Sequence, residues 1–370
     1  MKTLLVVGTR PEAIKMVPVY RALVARDWCT PVLLLTGQHR DMARSVIELF
    51  GLTPDVDLDV MEPGQTLVSL ATRLTGSLAE TLYSYAPDAV LVQGDTTSAM
   101  IAGLLGFYAN CRVGHVEAGL RTGNLSAPYP EEFNRRVLSL AAHWHFAPTS
   151  EAAANLRDEG VRDNIYVVGN TVIDAALDIA QRDSVRVNSL LARHPFLACP
   201  KRRRVLVTTH RRENFGRPME QVGAALRILA TRFTGVDFIV PVHPNPVVGE
   251  ALRPSLMGLA NVHLIAPLDY DEMIHVLRGA YLVLTDSGGI QEEAPAFNVP
   301  VLVLRNETER TEGIEAGCSL LVGTGLDAVV GGVTRLLEDD SAHTRMARAV
   351  NPYGDGRAAE AIADIMERSF

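Results

Sequence analysis

At 370 residues the chain is longer than one ordinary hydrophobic core organises, so two domains are expected. With 47% hydrophobic and 21% charged residues it has the composition of a folded chain and no disordered excess. A formal net charge of −8 argues against a nucleic-acid partner, because neutralising phosphates takes a basic surface, while a small anionic ligand stays compatible if a few basic residues converge.

The apolar run Leu4-Leu5-Val6-Val7 ends at Gly8-Thr9-Arg10-Pro11-Glu12, and Ile14, Val17, Val19, Leu23 and Val24 then form a helical stripe. That pattern reads as strand, tight turn, helix. A second buried strand is expected at Val32 to Leu35, a helix from about Arg40 to Leu49, a looser stretch with Pro54, Pro63 and Gly64, a helix from about Leu67 to Tyr83 and a strand at Ala89 to Val92. Apolar strands separated by helices imply a parallel sheet covered on both faces. The Ala89 strand stops in Gln93-Gly94-Asp95-Thr96-Thr97-Ser98, which puts Asp95 at a strand's carboxyl end, where open α/β sheets bind ligands. Asp95 or Thr96 would serve equally as an N-cap for the next helix. Arg112 to Val116 is the next strand, and it delivers Glu117 to the same sheet edge. Glu131 follows Pro130 at a helix start, a position that also suits an acid through the helix dipole.

Strands at Trp144 to Phe146 and Ile165 to Val168 follow, and Gly169-Asn170-Thr171 opens another helix. The stretch from Gln181 to Arg204, polar and broken by Pro195 and Pro200, reads as a boundary zone, with the basic run Lys201-Arg202-Arg203-Arg204 as a solvated lead-in to a strand. A second α/β series has strands at Val205 to Thr208, Asp237 to Val240, Val262 to Ile265, Tyr281 to Thr285, Val299 to Leu304 and Ser319 to Val322. Two such sheets in series would offer a crevice at their carboxyl ends. A last helix, roughly Gly356 to Ser369, follows the turn Asn351-Pro352-Tyr353-Gly354-Asp355, which would let the chain cross back onto the first domain.

Cys29, Cys111, Cys199 and Cys318 share no short spacing, so neither a zinc site nor a disulfide framework is expected. No charged leader precedes the first strand and no apolar run approaches bilayer length, which makes a cytoplasmic protein without a membrane partner the expectation. In the second half, Asp286-Ser287-Gly288-Gly289 after the Tyr281 strand places backbone N–H groups at a helix start, an arrangement that suits phosphate. Glu293, one turn further, is positioned to accept ribose hydroxyls. Neither this turn nor the one at Gly8 carries a G-x-G-x-x-G fingerprint, so a nicotinamide cofactor is not supported. Arg10, Lys15, His210, Arg211, Arg212 and Arg310 are the basic residues near the expected crevice, suited to a diphosphate. His210 and His243, each just past an apolar strand, read equally well as structural histidines.

Several ordered motifs resemble the bacterial non-hydrolysing UDP-N-acetylglucosamine 2-epimerases. They are Gly8 to Lys15, Gly94 to Thr97, Gly114 to Thr122, Pro130-Glu131-Glu132, His210 to Gly216, Asp286 to Pro295 and Asn351 to Gly356. The resemblance implies a GT-B fold, α/β with two Rossmann-like domains facing a central cleft: residues 1–170 joined by the C-terminal helix of about 356–370, and residues 171–355 binding UDP. It also implies a homodimer that converts UDP-GlcNAc and UDP-ManNAc reversibly with no cofactor and no metal. Carried onto this chain, the catalytic set falls on Asp95, Glu117, Glu131 and His210, and the substrate contacts on Arg10, Lys15, Asp95, Glu117, His210, Ser287, Gly288, Gly289, Glu293 and Arg310. Some members bind a second UDP-GlcNAc as an activator, and the matching positions here include Gln38 and His39. Gly64 stands where those members carry Arg, Gln93 where many carry His, and Thr311 where Pro is usual.

The C2 proton of a pyranose N-acetylhexosamine does not neighbour a carbonyl, so enolisation cannot invert that centre. Expulsion of UDP from C1 with loss of the C2 proton gives a 2-acetamidoglucal, and re-addition from the other face gives the epimer. Such a route needs a base, an acid and negative charge near C1, three roles open to Asp95, Glu117 and Glu131, and crowding them would keep a proton shared at neutral pH. A hydrolysing 2-epimerase, a GT-B glycosyltransferase or a non-catalytic nucleotide-sugar binder would use much of the same pocket.

Overall fold

The computed structural model describes every residue except His39, Pro63, Pro200 and Phe370, and of Arg40 its backbone only. The chain divides into two units, Met1–Ala175 with Tyr353–Phe370, and Ala176–Pro352.

In the first unit, strands Lys2–Val7 (β1), Thr30–Leu35 (β2), Val56–Asp57 (β3), Ala89–Gln93 (β4), Arg112–Val116 (β5), Trp144–Ala147 (β6) and Ile165–Val167 (β7) form one sheet in the order β3-β2-β1-β4-β5-β6-β7. All pairings are parallel. Helices Arg10–Val24 (α1), Arg40–Leu49 (α2), Leu67–Tyr85 (α3), Thr97–Tyr108 (α4), Glu131–Ala141 (α5), Ser150–Asp158 (α6) and Thr171–Ala180 (α7) connect them. Leu4, Leu5, Val6 and Val7 are all buried, as a strand covered on both faces requires. Leu4, Val6, Val32, Leu34, Val90 and Val92 share one core cluster with Leu70, Leu74, Leu78 and Leu82 of α3, the alternate residues of each strand facing one way and a four-residue stripe of helix meeting them.

The second unit begins within α7 and continues through helix Val185–Arg193 (α8). Its strands Arg203–Thr208 (β8), Val236–Pro241 (β9), Val262–Ile265 (β10), Leu282–Thr285 (β11), Val301–Val303 (β12) and Ser319–Leu321 (β13) form a parallel sheet in the order β10-β9-β8-β11-β12-β13. Helices Arg217–Arg232 (α9), Pro246–Leu256 (α10), Tyr270–Arg278 (α11), Gly288–Glu293 (α12), Thr311–Glu315 (α13), Leu326–Glu338 (α14) and Asp340–Ala347 (α15) follow in order. The period of two is explicit here. Val205, Val207, Phe238, Val240, Leu282 and Leu284 belong to the cluster under α9 and α14, while Leu206, Ile239 and Val283 belong to the opposite cluster.

Two expectations need correction. The stretch from Gln181 to Arg204 is not a broken boundary: α8 is capped by Ser184, and Leu190 and Leu197 are buried in the second unit's core. A nine-residue helix that buries a single residue, with Arg186, Asn188, Ser189 and Arg193 among its others, is hard to tell from a polar linker. The basic run is also less solvated than expected. Arg202 pairs with Asp237 at 2.9 Å, Arg203 pairs with Asp340 at 2.9 Å and lies over the Tyr281 ring, and Arg204 donates to Leu197 O at 2.5 Å. Guanidinium forks satisfy several acceptors at once, which is how arginines reach partners that a charge count does not reveal.

The last helix, Ala358–Arg368 (α16), returns to the first unit. Asp174 of α7 accepts the Ala358 and Ala359 N–H groups at 3.3 and 2.9 Å, and Arg26 bonds Glu360 and Asp364 at 2.7 Å each.

Candidate functional site

Each sheet reverses its strand order once, at β1/β4 in the first unit and at β8/β11 in the second. Loops diverge at such points and leave room for a ligand. The candidate residues lie at these reversals or one strand beside them.

In the first unit β4 and β5 are paired to their last residues, Gln93 against Val116. Asp95 and Glu117 therefore leave the sheet from neighbouring strand ends. Glu117 sits in the left-handed region at φ 64°, a conformation that costs a non-glycine residue on the order of 1 kcal/mol and needs support from its surroundings. Lys15 of α1 forms an ion pair with its Oε2, and Asn170 Nδ2 donates to the same atom at 3.2 Å. Asp95 Oδ2 is paired with Arg135 of α5, and its backbone carbonyl accepts from Asn134 Nδ2 at 2.8 Å. Glu131 opens α5, half-buried, and its Oε2 is buried with no hydrogen-bond partner among the described residues. Arg10 is the first residue of α1 and is partly buried.

Beneath these acids lie two groups that the sequence did not single out. Glu12 is 2% exposed. Its Oε2 accepts from Gly8 N at 2.5 Å and Thr9 N at 2.6 Å, and its Oε1 accepts from the Thr96 hydroxyl. Burial pushes this carboxyl up to about 7, against the hydrogen bonds from Thr96, Gly8 and Thr9. His115 of β5 is fully buried, and burial holds its imidazole down to about 3. It is neutral at physiological pH, so Nε2, 2.7 Å from Gly94 O, donates to that carbonyl. Gln38 accepts from Ser98 Oγ at 2.7 Å, while His39 lies outside the described residues. Gly64 is exposed at φ 72°, and Gln93 is buried at the end of β4.

In the second unit, Asp286 organises the turn after β11. It has no exposed surface, and its carboxylate accepts from Thr209 Oγ1 at 2.8 Å, His210 N at 3.0 Å, Arg211 N at 3.0 Å and Asn214 Nδ2 at 2.9 Å. Burial opposes its charge, yet the hydrogen bonds, His210 foremost, bring it down to about 2. His210 Nδ1 lies 3.2 Å from Asp286 Oδ1, and its ring stacks on His243 with centroids 5.5 Å apart. His210 is thus oriented by a carboxylate while 41% of its side chain stays exposed. Ser287 precedes α12, and its N–H is already taken by Thr285 Oγ1 at 3.0 Å, so of the three expected phosphate-facing amides only Gly288 and Gly289 have no intrahelical acceptor. Arg310 Nη2 is 2.9 Å from Glu292 Oε1. Glu293 is buried and accepts from the Tyr270 hydroxyl at 3.1 Å. Thr311 opens α13 directly after Arg310. A cavity of about 570 Å³ lies at the carboxyl ends of β9 and β10, lined by His243, Asn245, Glu250, Arg253 and their neighbours. Among the described residues no group of three or more His, Cys, Asp or Glu is placed to hold a metal ion, and no helix is long and apolar enough to cross a membrane.

Residues 21–367 match the family described as UDP-N-acetylglucosamine 2-epimerase. The chain belongs to that family. A UDP-N-acetylglucosamine 2-epimerase of Yersinia pestis is 48% identical over 372 residues, covering 99% of this chain and 98% of its own. The Escherichia coli K12 protein of the same name is 45% identical over 374 residues, covering 100% and 99%. The crystal structure of the Neisseria meningitidis UDP-GlcNAc 2-epimerase bound to UDP-GlcNAc superposes with a TM-score of 0.90 at 41% identity, all of both chains being covered. With these likenesses and its two parallel-sheet α/β units, the chain has the GT-B fold.

Among the residues that sequence reasoning left without a role, Glu12 and Asp286 carried a visible signal. Thr9-Arg10-Pro11-Glu12 is a capping-box spacing, and Asp286 directly precedes the Ser-Gly-Gly turn. Arg135 and Asn170 had none: one is a helical arginine among others, and the other lies 53 residues from the carboxylate it bonds.

Proposed function

We propose that this family member is a non-hydrolysing isomerase that interconverts UDP-GlcNAc and UDP-ManNAc by eliminating and re-adding UDP. The observation that carries the reading is the delivery of Asp95 and Glu117 from neighbouring strand ends, each paired with a cation, with Glu131 opening the helix whose Arg135 holds Asp95. Carboxylates presented at these positions can take the C2 proton and return one. A base takes the proton from C2, the C–H electron pair becomes the C1=C2 double bond, and the C1–O pair leaves with UDP. Return of a proton to the opposite face of C2 and attack of the UDP oxygen on C1 complete the exchange without water. In the second unit, Arg310, the Gly288 and Gly289 amides and the Asp286-oriented His210 are assigned to the diphosphate, which must be held while it is detached.

A homodimer is part of the same reading. Large apolar side chains stand exposed on three helices packed in succession: Val68 and Tyr83 on α3, Phe107 and Tyr108 on α4, Phe133 and Leu140 on α5.

The test is incubation of the purified protein with UDP-GlcNAc alone in deuterated water, followed by NMR. UDP-ManNAc carrying deuterium at C2 is expected. An epimer without label would sink the elimination route, and release of free ManNAc with UDP would identify a hydrolysing enzyme instead.

A further inference from the structure

The turn Gly94-Asp95-Thr96 is held at three consecutive residues by side chains from three different elements. His115 of β5 donates to Gly94 O at 2.7 Å, Asn134 of α5 donates to Asp95 O at 2.8 Å, and the Thr96 hydroxyl donates to Glu12 of α1. Glu12 has the widest reach of the three. One of its oxygens takes the Gly8 and Thr9 amides and so fixes the start of α1, while the other takes Thr96, whose own Oγ1 accepts Ala99 N at 3.1 Å and caps α4. A single carboxylate thereby ties two helix N-termini together. The two turns press on each other closely: a Cβ built on Gly8 would stand 2.6 Å from Ser98 Oγ. Three residues after Glu12, hence on the same face of the helix, Lys15 holds Glu117.

We propose that Glu12 is a positioning residue: through Thr96 it fixes the turn that carries Asp95 to the same helix whose Lys15 holds Glu117, so the first two turns of α1 set the separation of two candidate acids. The inference rests on the reading of Asp95 and Glu117 as catalytic. A helix turn is stiff, so this arrangement transmits any displacement of one strand end to the other. Misplacement of an acid by about 1 Å costs on the order of a hundredfold in rate.

The test compares Thr96→Val with Thr96→Ser, and Glu12→Leu with Glu12→Gln, by steady-state kinetics on UDP-GlcNAc and by urea unfolding. Serine keeps the hydroxyl. Glutamine keeps an oxygen for the Gly8 and Thr9 amides and presents its NH2 to Thr96. A drop in kcat of ten- to a hundredfold for Thr96→Val and Glu12→Leu is expected, with KM changed less than threefold and Thr96→Ser and Glu12→Gln within fivefold of wild type. Lower stability with kcat unchanged in Thr96→Val would overturn the proposal, as would equal losses in Thr96→Val and Thr96→Ser. If the Glu12 variants do not fold, the Thr96 pair decides alone. Near-normal turnover in Asp95→Asn would instead remove the catalytic reading beneath the proposal, and the two failures are thereby separated.

Discussion

Replacing Asp286 by Asn tests whether one buried carboxylate organises the second unit's half of the site. The native carboxyl is held at about 2 against an ordinary 3.8, which corresponds to about 2 kcal/mol. Because the folded value is depressed, this stabilisation is complete above pH 3.8 and is lost as pH falls through about 2. Asparagine removes it at neutral pH and adds a second cost. Its single oxygen can take the place that accepts Thr209, His210, Arg211 and Asn214, but its NH2 then lies against the same His210 N–H, 3.1 Å from Oδ1. A buried donor facing a donor costs a further ~1–3 kcal/mol. A loss of about 3–5 kcal/mol in the second unit is the expected outcome. Both tryptophans, Trp28 and Trp144, belong to the first unit, so urea unfolding followed by tryptophan fluorescence should be unchanged. Circular dichroism should show a separate, earlier transition, and hydrogen exchange should accelerate in peptides covering 204–216. If circular dichroism moves by less than about 0.5 kcal/mol and the His210 and Arg211 amides exchange at the wild-type rate, the carboxylate does not hold this loop.

Glu12, raised from 4.5 to about 7, binds its proton more tightly in the folded chain, so stability should fall as pH rises from about 4.5 to about 7, by about 3 kcal/mol at most. Glu12→Gln lacks this titration, and its stability relative to wild type should rise by that amount between pH 4.5 and 8 in urea unfolding; a flat difference contradicts the assignment. Gly119→Ala places a Cβ 2.1 Å from Ala152 O at φ +95° and should cost more than about 3 kcal/mol in tryptophan-detected unfolding. Leu140→Glu should shift the protein to half its mass in sedimentation if the exposed faces of α3, α4 and α5 form a homodimer, and an unchanged mass places the contact elsewhere. Lys15→Met combined with Glu117→Gln should unfold within about 1 kcal/mol of wild type with turnover abolished, while Lys15→Met alone, which strands a buried carboxylate, should cost about 3 kcal/mol.

The sheets were legible because parallel strands buried on both faces are short continuous apolar runs: Leu4 to Val7 and Ala89 to Val92 are such runs, and they lie within β1 and β4 and are buried throughout. The two-residue β3 left no such run, and α8 buries so little that its polar residues hid it. At the site, one-dimensional order was enough for residues that follow a strand directly, as Asp95 and Glu117 do. It was insufficient for their partners. Arg135 reaches Asp95 across 40 residues and Asn170 reaches Glu117 across 53, and nothing local marks such pairings. Nor did the sequence mark Glu12 as the carboxyl that burial raises to about 7, beneath the turn that carries Asp95.

The energetics of these contacts bear on what they are for. An ion pair as sheltered as Lys15–Glu117, with side chains 11% and 8% exposed, roughly breaks even against an apolar pair of similar size, because desolvation of both ions offsets their attraction. The left-handed backbone at Glu117 adds a cost on the order of 1 kcal/mol. Neither is repaid by the core, which lies in the strands behind. A chain selected for stability alone would fill this edge with leucine and glycine. Instead it holds Glu117 with a lysine and an asparagine, Asp95 with an arginine, and the turn between β4 and α4 with Glu12, His115 and Asn134. What these contacts supply is a fixed placement of charge at the carboxyl edge of the sheet, a property the proposed elimination from a nucleotide sugar would need from this edge.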